Sequence, residues 1–438
     1  MQANSGFNSP NIVFGAVALG LLGLTLSWHI PMMLWDHLDL VQMYRASQDG
    51  GSLWSSIFWD THGGHMHAAA YAVLLVTTEL SGGQPWLDCV VSWGLLIGYA
   101  IVVVRLARSS FVAGRMSGRW VSCIAFLALY PGHLANLQWG WQVAVFLCLL
   151  GMVIAVACLA AEELRWWHNV VALAAAVLSY LSFATGIAVI PVAVAMLLLR
   201  RDRSPLQLAG FAAPWLLFGL LVLWWYLESS LVGTTASRSL LLLLHYVLNY
   251  LGSGISRFAA DLAPWLALIA MATGIQAFLV VRRERASLPW LGFFLFGIFS
   301  ALLTALGRAE AFGPDHAFVT RYVSFSSVFW LGWAGLVVIA SRIEAGAWGK
   351  WRMRLAVTVM VLGAANALHM IKQAAEVGAE TRDVANQVRD SYPNVDEALL
   401  RSIYFEQPEV ARERLRELNV WSFAPFEQSA GAAQAGSK

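Results

Sequence analysis

Long apolar runs separated by short polar segments set the pattern of this chain. A helix that crosses a bilayer needs about 20 mostly apolar residues. Such runs lie near 11–31, 86–104, 141–160, 209–227, 263–281, 289–306, 322–340 and 355–371. Shorter or interrupted ones lie near 120–134, 169–184 and 187–199. The run at 66–80, MHAAAYAVLLVTTEL, is apolar but short and ends at Glu79. A polar segment without Lys or Arg precedes the first run, and no small-residue cleavage site follows it, so it reads as a retained anchor. From about 372 the pattern turns polar and helix-like (DEALLRSIYF, EVARERLREL), then ends in a Gly/Ala/Gln/Ser-rich segment expected to be disordered.

Composition and charge turn this pattern into a topology. Hydrophobic residues make up 59% of the chain and charged ones 12%, against about 25% charged in a soluble domain. A water-soluble fold could not hide so much apolar surface. Basic residues cluster at Arg105, Arg108, Arg115 and Arg119; at Arg165; at Arg200, Arg201 and Arg203; at Arg282, Arg283 and Arg285; and at Arg342, Lys350, Arg352 and Arg354. The positive-inside rule puts these on the cytoplasmic side. They share one side with the N-terminus only if 66–80 lies along the interface or re-enters. The expected fold is therefore all-α and polytopic, with about 11 transmembrane helices plus an interfacial or re-entrant helix in the first outer loop. Residues 1–371 form the membrane domain and 372–438 a small external helical tail. Regions 32–66, 228–262 and 307–321 face outward. Cys89, Cys123, Cys148 and Cys158 sit in apolar runs without CxxC spacing and read as small hydrophobes.

The outward regions hold the residues with chemistry. The first loop carries Asp36, His37, Asp39, Asp49, Asp60, His62, His65 and His67. Charges at a membrane surface cost little, and Asp49 with Arg45 reads as solvated loop. Asp36 and Asp39 directly follow a hydrophobic span, and at i and i+3 on a helix they share a face. Such a pair suits a general base, or a divalent cation held together with a phosphate. His62 and His65 lack HExxH spacing and the intervening glycines loosen a helix, so a phosphate or hydroxyl partner is favoured over zinc. Residues 133–142, HLANLQWGWQ, concentrate amides and Trp, including Trp139 and Gln142; an aromatic interface belt is the plain alternative. Residues 307–322 bring Arg308, Glu310, Asp315, His316 and Arg321 between two apolar spans, and the planar fork of Arg suits phosphate.

These elements together resemble the GT-C superfamily of membrane glycosyltransferases. The resemblance rests on an acidic loop after the first span, Trp35-Asp36-His37-Leu38-Asp39, followed by His62-Gly63-Gly64-His65. Within or near that superfamily, the chain is similar to a bacterial group with HNEHR, WGFQ-like and GR…G…SRY elements. Here these stand as HGGHM at 62–66, WGWQ at 139–142, and Gly307-Arg308…Gly313…Thr320-Arg321-Tyr322. Gly63, Gly64 and Met66 replace the Asn, Glu and Arg of HNEHR, so roles resting on that Glu or Arg do not transfer. The acidic pair is DHLD rather than two adjacent aspartates.

The resemblance implies an inverting transferase in a bacterial inner membrane, using a polyprenyl-phosphate-linked sugar and a periplasmic acceptor: a glycan, a lipid or a protein such as a pilin. Asp36, then Asp39, would be the base. Arg321, Arg308, His62 and His65 would bind the donor phosphate, where losing one such donor typically costs ~3 kcal/mol. Trp139, Gln142, Tyr322 and His316 would contact substrate. No cofactor is required, though Mg²⁺ or Mn²⁺ would be compatible, and no metal ligand is assigned. A lipid-linked glycan flippase is the alternative, but it needs polar groups at the bilayer midplane, and the proposed spans are almost free of charge. A membrane acyltransferase or glycan polymerase would share a His- and Arg-rich outer face.

Overall fold

The computed structural model describes residues 9–59, 61–62, 64–228, 239–405 and 407–420. Asp60 and the Gly/Ala/Gln/Ser-rich end lie outside them. The chain is 85% helical. In order the elements are α1 (Ser9–Trp28), α2 (Leu40–Gln48), α3 (Leu53–Trp59), β1 (Thr61–His62), β2 (His65–Met66), α4 (Ala68–Ser81), α5 (Trp86–Val112), α6 (Gly118–Ala128) and α7 (Leu134–Leu137). Then follow α8 (Val143–Leu159), α9 (Trp166–Ser182), α10 (Val189–Leu198), α11 (Pro205–Glu228), α12 (Leu240–Ser256), α13 (Ala263–Val281), α14 (Leu288–Phe312) and α15 (Tyr322–Ile343). The long α16 (Ala347–Ser391) leads to α17 (Glu397–Ile403) and α18 (Pro408–Val420).

Among the described residues, nine helices are long and apolar enough to cross a membrane, and 68–81 and 184–198 are shorter apolar helices. This is a multi-pass membrane protein. Two details differ from the sequence expectation. The regions near 169–184 and 187–199 form helices of 17 and 10 residues, below ordinary spanning length. Within 228–262, expected as an outward loop, residues 240–256 form α12, and Tyr246 to Ser256 are largely buried. Its LLLLL start supplies the apolar content, while Asn249, Gly252, Ser253 and Gly254 dilute the later half. A 3-10 turn with non-helical backbone at Ala259 kinks it into α13.

The chain divides into two compact units. The first holds residues 1–20, 95–133 and 145–370. Its centre is α15, buried from Tyr322 to Ala340 and packed by α6, α12, α13 and α14. Lipid gives no hydrophobic push between helices, so close packing and hydrogen bonds must hold them. Gly332 and Gly335 let α15 lie directly on the Trp290–Phe294 turn of α14, where any side chain would clash. Indole N–H groups then join helices: Trp330 to the Leu251 carbonyl at 2.8 Å, Trp333 to Thr273 at 3.0 Å, and Trp215 to Asn169 at 2.8 Å. The outer faces are apolar, as Leu216, Leu217, Leu220 and Trp224 on α11 show. Asn11 at the start of α1 bonds Arg108 near the end of α5.

The second unit holds residues 21–94, 134–144 and 371–438. Its core joins Ile30, Met33, Leu34, Leu38 and Val41 of the first loop to Val388, Leu400, Ile403, Ala411, Leu415 and Leu418 of the tail. Tail residues between Ala385 and Leu418 thus share a hydrophobic core with the loop after α1. Arg45 on α2 bonds Glu417 at 2.8 Å and also Glu413, both on α18.

Candidate functional site

The site in the second unit starts from an unusual turn. Trp35 has φ of 54°, a left-handed conformation uncommon for a bulky residue. Its indole donates to the Ser402 carbonyl at 3.0 Å and meets Trp139 edge-on at 5.2 Å. From there a 3-10 turn, residues 35–39, carries Asp36 and Asp39 into α2. The β1–β2 hairpin, with His62 opposite His65, supplies the third group. His62 lies between the carboxylates, Nε2 at 3.5 Å from Asp36 Oδ1 and Nδ1 at 3.4 Å from Asp39 Oδ2. Tyr404, from the tail, donates its hydroxyl to Asp39 Oδ1 at 2.6 Å.

Electrostatics separate the histidines of this loop. Burial lowers the pKa of His62, but the two carboxylates outweigh it and hold the imidazole at about 9. Burial pushes His37 and His67 down to about 3, so both are neutral near pH 7. His37 Nε2 faces Asp88 Oδ2 at 3.7 Å, and Thr77 donates to the other oxygen of Asp88. Gly140 makes room for this pair, because a side chain there would strike both residues. Trp141 forms the aromatic wall, its ring 5.0 Å from His62, 5.9 Å from Tyr71 and 6.2 Å from His67. Trp139 Nε1, Gln138 Oε1 and Gln142 Oε1 are buried without a hydrogen-bond partner among the described residues. Such groups are uncommon and suit a polar ligand.

A second cluster belongs to the first unit. His316 sits in a 3-10 turn between α14 and α15, stacked on Phe312 at 4.6 Å, and its Nδ1 is 2.9 Å from the Tyr246 hydroxyl. Arg308 lies over Phe312 and Arg321 over Tyr322, at 5.5 and 5.6 Å. Burial first, then Arg321 and Arg308, lowers the His316 pKa to about 4, which keeps it neutral.

Of the residues expected from sequence, Asp36, Asp39 and His62 meet, and Trp139 and Gln142 belong to the same unit. Arg308, His316, Arg321 and Tyr322 form their own group. His62, expected beside phosphate, has carboxylates as its charged neighbours in its unit. His65 is across the hairpin and outside the triad. Sequence reasoning did not assign Tyr404, Asp88 or Thr77 to the site. Tyr404 reaches Asp39 across 365 residues of chain, and no local spacing announces that. No family model, curated protein or solved structure matches the chain.

Proposed function

We propose that the Asp36–His62–Asp39 cluster is the reaction centre of a membrane glycosyltransferase of the GT-C type, which moves a sugar from a polyprenyl phosphate to an acceptor hydroxyl on the outer side. The observation that carries this reading is the pair of carboxylates astride one imidazole, directly after the first membrane helix. Asp36, mostly buried, accepts the proton of the acceptor hydroxyl. The hydroxyl oxygen attacks the anomeric carbon with inversion. The carbon–oxygen bond to the lipid phosphate breaks, and the phosphate leaves with the electron pair. His62, held charged, places a positive charge between the two carboxylates. Tyr404 fixes the orientation of Asp39, and Trp139 and Gln142 offer their unpaired polar groups to the sugar or acceptor. Within the first unit, Arg308 and Arg321 are phosphate-binding candidates of their own, with His316 and Tyr322 beside them.

The same three residues could hold a divalent ion. Their ligand atoms lie within 4.8 Å of one another, and two oxygens with one nitrogen suit Mn²⁺ better than Mg²⁺. Such an ion would supply positive charge to the leaving phosphate. Binding it requires His62 to give up its proton, so the carboxylates that raise its pKa also make the proton a competitor.

The test is Asp36→Asn. It should remove transfer while leaving the yield and the thermal unfolding midpoint of the purified protein near wild type. Full activity would remove Asp36 as base. An essential His62 with a dispensable Asp36 would point to acyl transfer instead. Mass spectrometry of envelope glycans and surface proteins, with and without the gene, would name sugar and acceptor together.

A further inference from the structure

At the end of the first unit opposite His316, α8, α10 and α13 finish and α14 begins. These ends line a partly open cavity of about 110 Å³. Its wall combines apolar residues, among them Leu199, Phe278 and Leu291, with Arg200, Arg201, Arg282, Arg283 and Arg285 against Asp202 and Glu284.

The two acids are already engaged. Asp202 accepts from Arg200 at 2.9 and 2.8 Å and lies 3.1 Å from Arg285. Glu284 pairs with Arg115 at 2.9 Å. Arg200 also donates to the Leu159 and Ala161 carbonyls at 2.8 and 2.9 Å, and Arg285 donates to the Glu162 carbonyl at 2.8 Å. On the same loops, Arg203 donates to the Leu164 carbonyl at 2.7 Å, and Glu163 pairs with Arg165 at 2.8 Å. These contacts hold the loops together. Arg201, Arg282 and Arg283 have no ion pair among the described residues. Three unneutralised guanidiniums therefore line an apolar-walled cavity. Next to it, Leu198, Ile275 and Leu279 are exposed by 68%, 50% and 54% on helices that suit hydrocarbon.

We propose that this cavity binds the phosphate of an anionic glycerophospholipid headgroup. Guanidinium forks match phosphate oxygens in two-point hydrogen bonds. Basic pockets between helices at the cytoplasmic ends of spans are suited to such headgroups. A soluble phosphate would need the arginines but not the apolar wall or the adjoining apolar helix faces. A lipid uses all three, with the acyl chain leaving along α13. This site does not depend on the transferase reading.

The experiment uses the full chain in detergent, titrated with phosphatidylglycerol or phosphatidylcholine and read by native mass spectrometry. Wild type should bind phosphatidylglycerol in preference to phosphatidylcholine. Each of Arg201→Gln, Arg282→Gln and Arg283→Gln should weaken that binding about fivefold, as expected for about 1 kcal/mol per basic residue near an anionic surface. The three positions make no ion pair among the described residues, so each single variant should keep the wild-type unfolding midpoint. Equal binding of the two lipids, or variants that bind phosphatidylglycerol as wild type does, would overturn the proposal. Displacement by glycerol phosphate at the same concentration as the lipid would overturn it too, by showing a soluble phosphate site.

Discussion

Two opposing influences meet at the His62 ring: partial burial disfavours its charge, while carboxylates on both nitrogens favour it. The carboxylates win, and the folded pKa of about 9 stands above the ordinary 6.5. A raised pKa has a definite sign in stability. The contribution is fully present below about pH 6.5 and is lost as pH rises through about 9. Thermal unfolding of wild type and His62→Gln across pH 6 to 10 should show a gap that is widest at the acid end and closes toward pH 9.5. A gap that widens with pH would mean that His62 is neutral in the folded protein. Asp36, Asp39 and His62 were legible as candidates because polar residues against a hydrophobic span are conspicuous. Their pairing was not, because it depends on the β1–β2 hairpin, which returns His62 to the turn at Asp36. The family resemblance groups His62 with the arginines instead.

At the scale of elements, the fold was most legible where hydrocarbon is the partner. A twenty-residue apolar run has few ways to satisfy its backbone other than a spanning helix, and eight such runs reappear within the long apolar helices. α12 was missed because its second half buries Asn249, Ser253 and Ser256 against other helices, so its polar residues mimic a loop. The tail helices were visible as helices but not as partners of the first loop. Their apolar stripe, Leu400, Ile403, Leu415 and Leu418, carries that contact. Leu400 is fully buried, so Leu400→Ala should cost about 2–5 kcal/mol. Hydrogen exchange should locate the loss in residues 30–41 and 385–418 together. Faster exchange confined to 397–420 would show that the loop does not rely on the tail.

For the whole molecule, the basic loops gather at one end of the first unit. Arg115 reaches Glu284, Arg200 reaches the carbonyls after α8, and Arg352 pairs with Glu344 and bonds Gln276. This gathering agrees with the positive-inside reading of the sequence, in which separate runs of Arg belong to one side. A cysteine at Glu163 should be protected in intact cells from an impermeant thiol reagent, and one at Thr61 should react. The reverse pattern would invert the orientation and remove the outer placement of the acidic cluster.

The shared core of first loop and tail also sets an order of events during synthesis. Asp39 emerges early and its partner Tyr404 comes 365 residues later. At ordinary translation speeds that interval is roughly 20–70 s. Throughout it, the loop lacks the apolar surface that completes its core, and Trp35 lacks the carbonyl that anchors its turn. The Tyr404 bond to Asp39 therefore forms only after α17 has left the ribosome. A nascent chain stalled or cut short before α17 would hold its membrane helices without Tyr404 on Asp39, so under the proposed function transfer would require translation past Tyr404.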